Sequence, residues 1–220
     1  MPTSPHRNIQ TIIDIVLDLH PRPTRVLDVG FGYGKFGLLC KEYLGYWNSP
    51  SQSRLVSVDG IEAFPNYVGV IQRAIYDRIF IGNALDILPQ FGADSYDLVL
   101  LVDVLEHFSR AEGEKVIAEC RRVGRVLIVS TPRVFWHQED SWGNPFERHQ
   151  SLWSKKDFIA LGAAEVRQAE NWVGIFAKPP YVERFAWRYR LWRAGNRWTP
   201  AFMRPAASLI YHKFLSEKKD

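Results

Sequence analysis

A chain of 220 residues with 46% hydrophobic content has material for one domain of ordinary size with a modest appendage. Two cysteines (Cys40 and Cys120) form no spaced framework, and no run reaches the 18 apolar residues of a membrane span or the h-region of a secretion signal, so a reduced, cytoplasmic setting is expected. Residues 1–180 carry 19 Lys+Arg against 21 Asp+Glu and residues 181–220 carry 9 against 3, so the net charge of +4 belongs to the tail and argues against a nucleic-acid binder as a whole.

Ile9, Ile12, Ile13, Val16 and Leu17 recur at helical spacing, and Pro21 and Pro23 stop that helix. Arg25 to Val29 reads as a strand, followed by a glycine cluster and a helix through Leu38, Leu39 and Tyr43. After a polar loop (Asn48 to Ser53) come a strand from Leu55 to Glu62, a helix around Tyr67 to Ile75, and a short strand from Ile79 to Ile81. Tyr96 to Val102 is a nearly continuous apolar run, the pattern of a strand covered on both faces. Ser109 with Glu112 has capping-box spacing ahead of a helix whose face is Val116, Ile117, Cys120 and Val123. Arg125 to Ser130 is a fifth strand, and Ser154 with Asp157 opens a helix that ends near Gly162. Two β-rich segments, Glu165 to Gln168 and Trp172 to Ala177, are suited to an antiparallel pair. The alternation implies a Rossmann-like, doubly wound, mostly parallel seven-stranded sheet. Three parts are expected: an N-terminal helix (1–21), a main domain (22–180) and a helical tail (181–220).

The segment VLDVGFGYGKFG, residues 26–37, carries most of the functional information. Gly30, Gly32 and Gly34 permit a tight strand-to-helix turn whose backbone N–H groups are open to a ligand. Gly32, Gly34 and Gly37 also spell the dinucleotide pattern G-x-G-x-x-G, but Asp28 before them would repel a pyrophosphate. The D-x-G-x-G-x-G pattern instead resembles motif I of class I S-adenosylmethionine (SAM) methyltransferases. The resemblance spans about residues 22–177 and implies that Glu62 binds the ribose hydroxyls, with Ile61, Asn83 and Ala84 near the adenine. Asp59 is the competing acid.

YDLVLLVDVLEHF, residues 96–108, places Asp103, Glu106 and His107 beyond the fourth strand, and the segment is similar to that of ubiquinone-biosynthesis O-methyltransferases. An imidazole with an ordinary pKa near ~6.5 suits a general base, so His107 is the first candidate for that role. The spacing of Asp103, Glu106 and His107 would let them converge on one side of a helical turn. Small-RNA 2′-O-methyltransferases have a similar pattern completed by a distant His, which implies a divalent-metal site here with His149 as the fourth ligand. Capping and backbone hydrogen bonds are the plainer role for Glu106 and His107.

Residues 132–150 form a long link of the kind that serves as a lid, and Trp136, Trp142 and Arg148 are its candidate acceptor-binding residues. Packing alone is the other role for the tryptophans. The basic aromatic tail suits docking or homodimerisation, an anionic membrane surface, or least of all nucleic acid. The expectation for the chain is a SAM-dependent O-methyltransferase of a small-molecule or glycan-like acceptor, with His107 as base or metal ligand. RNA 2′-O-methylation and a catalytically silent SAM-binding module are the competing readings.

Overall fold

The computed structural model describes residues 4–46, 56–141, 143–179 and 181. A seven-stranded sheet in the order β3-β2-β1-β4-β5-β7-β6 forms the centre. Its strands are β1 (Arg25–Val29), β2 (Ser57–Glu62), β3 (Arg78–Ile81), β4 (Tyr96–Val102), β5 (Gly124–Thr131), β6 (Glu165–Gln168) and β7 (Trp172–Ala177). Strands β1 to β5 pair in parallel, and β7 joins β5 and β6 antiparallel. This is the doubly wound sheet the alternation of elements implied, antiparallel pair included. The chain reverses strand order next to β1, and in such sheets the crevice beyond the strands' carboxyl ends is where ligands bind.

The helices are α1 (His6–Asp18), α2 (Lys35–Cys40), α3 (Val70–Ile75), α4 (Ala84–Ile87), α5 (Arg110–Val123) and α6 (Lys155–Ala160). Both expected capping boxes form: Ser109 with Glu112 opens α5, and Ser154 with Asp157 opens α6. The helix expected around Tyr67 is shorter than its apolar pattern suggested. Pro65–Tyr67 makes one 3-10 turn, and α3 starts only at Val70. Beyond Cys40 the second helix widens into a π-helical stretch, Lys41–Tyr46. The polar loop at 48–53 and nearly all of the tail expected at 181–220 lie outside the described residues.

Two apolar layers sandwich the sheet. One contains Ile12, Ile15 and Val16 of α1 and Leu19 just past its end, with Val26, Leu98, Leu100 and Ile128 of the strands. The other contains Leu27, Val99 and Leu127 with Val116, Ile117 and Cys120 of α5 and with Trp153 and Phe158. The N-terminal helix is therefore part of the main core.

It also reaches the end of the sheet where a ligand would sit. Asn8, fully buried, accepts from the Asn171 backbone N–H through Oδ1 (2.9 Å) and donates to Ser130 Oγ (3.5 Å). Ser130 Oγ and Asn171 Nδ2 in turn donate to Asp103 Oδ1, at 2.6 and 2.9 Å. Removing a buried partner strands the groups it satisfied, at about 1–3 kcal/mol. Asn8→Ala should lower the unfolding free energy by about that amount in urea titration, with little change in the m-value.

Candidate active site

The glycine turn and the end of β2 are built against each other. Gly30, Gly32 and Gly34 all have positive φ, and a Cβ on Gly30 would lie 2.4 Å from Val104 Cγ2, so the loop runs close to the segment after β4. The Gly30 N–H donates to the Ile61 carbonyl at 2.8 Å. Glu62 receives one backbone N–H on each oxygen, from Gly32 (3.0 Å) and Phe64 (2.9 Å). These bonds hold the buried carboxylate with lone pairs left for further donors. The competing acid, Asp59, is spoken for by Arg78 (2.6 Å) and the Tyr96 hydroxyl (2.9 Å) and does not line the cavity.

A cavity of about 440 Å³ opens over this loop. Asp28, Gly30, Gly32, Ile61, Glu62, Asn83 and Ala84 line one part of it, and Asp103, Glu106, His107, Trp136 and His149 another. Gly34 shapes the turn from outside the lining, capping α2 at φ 81°. Asn83 caps α4, its Oδ1 accepting from the Leu85 N–H at 2.9 Å. Asp28 is buried, and the Tyr76 hydroxyl donates to it at 2.6 Å. Burial dominates its titration and pushes the carboxyl up to about 6.

Beyond β4 the geometry differs from the convergence expected of Asp103, Glu106 and His107. Asp103 adopts φ 54°, so no regular helical turn joins it to Leu105–His107, which form a 3-10 turn. Its Oδ1 faces Ser130 and Asn171 instead. The group that does gather is Glu106, His107 and His149, with ligand-type atoms within 4.8 Å of one another. His107 Nδ1 lies 3.3 Å from the Arg148 carbonyl and His149 Nδ1 lies 3.1 Å from the Trp136 carbonyl. A carbonyl only accepts, so each of these contacts calls for hydrogen on Nδ1, the tautomer that leaves a lone pair on Nε2. Burial, helped by the neighbouring His149, pushes His107 down to about 4, well below the ordinary value assumed from sequence. Burial also lowers His149 and raises Glu106 well above the usual carboxylate range, even though Thr131 Oγ1 donates to Glu106 at 3.1 Å.

The link at 132–150, expected to be a lid, lines the cavity and is tied at its C-terminal end and across its own middle. The Gln150 N–H donates to the Glu106 carbonyl at 2.8 Å, and Gln138 Nε2 donates to the Glu147 carbonyl at 2.7 Å. Trp136, half-exposed, stands with its ring centroid 4.9 Å from that of His149. Arg148 does not line the cavity, because its guanidinium pairs with Glu139 (3.3 Å) and Asp140 (3.0 Å) in the same loop. Trp142 lies outside the described residues.

Three residues that the sequence reading passed over prove central. Tyr67 and Asn144 donate to Glu147 Oε1 at 3.0 and 3.3 Å, and Tyr76 holds Asp28. The Asn144-Pro145 pair signals a turn, yet nothing in sequence marks Glu147, two residues after Pro145, as buried.

A family model described as a methyltransferase domain matches residues 5–164. No curated protein matches the chain in sequence. Among solved structures, a protein from Pyrococcus horikoshii OT3 is similar at 16% identity and TM-score 0.57, over 77% of this chain and 89% of that one. A SAM-dependent methyltransferase from Archaeoglobus fulgidus is similar at 15% identity and TM-score 0.52, over 73% and 70%. The N-terminal domain of EvdMO1, solved with S-adenosylhomocysteine and D-fucose, is similar at 16% identity and TM-score 0.52, over 78% and 82%. At these identities the likeness concerns the fold.

The raised carboxyl of Asp28 has a consequence for stability. Its folded value lies above the unfolded one, so the stabilisation it contributes is complete below about pH 4 and is lost as pH rises towards 6. Asp28→Asn should remove that part of the slope, about 3 kcal/mol at about 1.4 kcal/mol per pKa unit, in a comparison of urea midpoints at pH 4 and pH 7.

Proposed function

The chain belongs to the methyltransferase-domain family and is a SAM-dependent methyltransferase; from that premise we propose that its acceptor is a hydroxyl group of a small-molecule or glycan-like substrate. The observation that carries this reading is the pair of neutral imidazoles beside the lid, each with Nε2 lone pairs left over by its backbone bond. Glu62 takes the ribose hydroxyls, Asp28 and the glycine turn take the methionine end, and Ile61, Asn83 and Ala84 border the adenine. Trp136 on the lid offers the acceptor a stacking face, and the fold neighbour solved with D-fucose is in keeping with a sugar-like ring there.

Methyl transfer is an in-line displacement. The acceptor oxygen forms a bond to the methyl carbon while the carbon–sulfur bond breaks and its electron pair stays on sulfur. The protein's task is to align the two and to remove the hydroxyl proton. His107 and His149 are both uncharged at neutral pH and able to accept it. With a value near 4, however, His107 is a weak base, and proton transfer is most effective near the working pH.

That weakness favours a second role for the same residues. Neutral histidines whose Nδ1–H groups are fixed on carbonyls, beside a buried carboxylate, are the donor set of a divalent-cation site. Glu106, His107 and His149 would hold the ion; Asp103, turned towards Ser130, would not. Such an ion supplies a lowered pKa for an oxygen bound to it.

Calorimetry with S-adenosylhomocysteine should give micromolar binding that falls at least about tenfold in Glu62→Ala, the loss of two charge-assisted hydrogen bonds. Mn²⁺ titrated into wild type should bind, and His149→Ala should abolish that heat while leaving S-adenosylhomocysteine affinity unchanged. Absence of Mn²⁺ binding in wild type would leave the imidazoles as bases. Metal-dependent methylation of an RNA oligonucleotide would move the acceptor to the RNA class.

A further inference from the structure

The cavity is walled by acids with almost no opposing charge. Asp28, Glu62, Asp103, Glu106, Glu112 and Glu147 all line it, and Lys35 is its one lysine or arginine among the described residues. Four of the six are buried, with Asp103 and Glu112 partly so. Buried carboxylates are normally paired with cations or fully hydrogen-bonded, because an uncompensated charge in a low-dielectric site is costly. Burial raises the carboxyl groups of Asp28 and Glu62 accordingly.

Glu147 makes the point most sharply. It comes from the lid, is 6% exposed, and is tied by Tyr67 and Asn144 through Oε1 alone. Its second oxygen, Oε2, is buried without a hydrogen-bond partner. Its field acts within the cavity that it shares with Glu62 and the two histidines. A cofactor whose ribose lies on Glu62 and whose methyl points at His107 and His149 would bring its sulfonium into that field.

We propose that the acid-lined cavity, closed by Glu147 of the lid, is selective for the cationic sulfonium form of the cofactor over its uncharged thioether product. Methyl transfer then removes the charge that the wall favours, and the product leaves a site that no longer holds it tightly. The inference rests on the cavity being the cofactor site. It adds a role for a residue outside the glycine turn and the ribose carboxylate.

The test is calorimetry at pH 8 with three probes: SAM, S-adenosylhomocysteine, and sinefungin, which carries an ammonium in place of the methylsulfonium. SAM and sinefungin should each bind roughly tenfold or more tightly than S-adenosylhomocysteine, the scale of one unit charge near an uncompensated carboxylate. Glu147→Gln keeps an oxygen for Tyr67 and Asn144 but removes the charge, so it should narrow the gap several-fold by weakening the two cations alone. S-adenosylhomocysteine binding as tightly as SAM, or an undiminished gap in Glu147→Gln, overturns the inference and leaves the cofactor site standing. Failure of all three probes to bind wild type overturns the cofactor site as well.

Discussion

The hydrogen bond from the Gly32 amide to the Glu62 carboxylate joins the turn after β1 to the end of β2, and the site takes its shape from that contact. It requires the turn to lie low over the strand ends, which is why Gly30 must pass Val104 with no Cβ. It also requires a carboxylate rather than a hydroxyl or amide at the end of β2, because both oxygens accept from backbone. Asp28, one strand over, is packed under the same turn by Tyr76, whose ring lies where a Cβ on Gly37 would have to go, as the Phe31 ring does for Gly60. The glycines and the tyrosine are thus two halves of one packing solution.

Around this contact the structure gathers groups that pull in opposite directions. The carboxylates of the cavity are held away from water and resist ionisation, whereas the histidines are held neutral by the same burial. The result is a site rich in fixed lone pairs. The 132–150 link adds both the second histidine and Glu147 to the cavity wall.

Much of this was legible in sequence because it is local. Apolar runs gave the strands, Ser-x-x-Glu and Ser-x-x-Asp gave the two helix starts, and Asp28 with its glycines gave the tight turn after β1. The expectation for Glu62 over Asp59 rested on a family pattern; in the structure Arg78 and Tyr96 are seated on Asp59, and Glu62 lines the cavity. What sequence missed depends on long-range contact. Asp103 left its neighbours because Asn171, 68 residues away, and Ser130, 27 away, compete for it. Arg148 looked available to an anion until Glu139 and Asp140 were found beside it. The depressed His107 could not be foreseen either, since it follows from burial beside Arg148, 41 residues downstream, and His149.

The most direct test of the central claim is a crystal structure of the protein with S-adenosylhomocysteine. The expected result places the ribose hydroxyls on Glu62, the amino-acid end over Gly30 and Asp28, and the sulfur on the side of the cavity shared by His107 and His149. A ligand whose ribose lies elsewhere, or whose sulfur faces away from the two histidines, would contradict it.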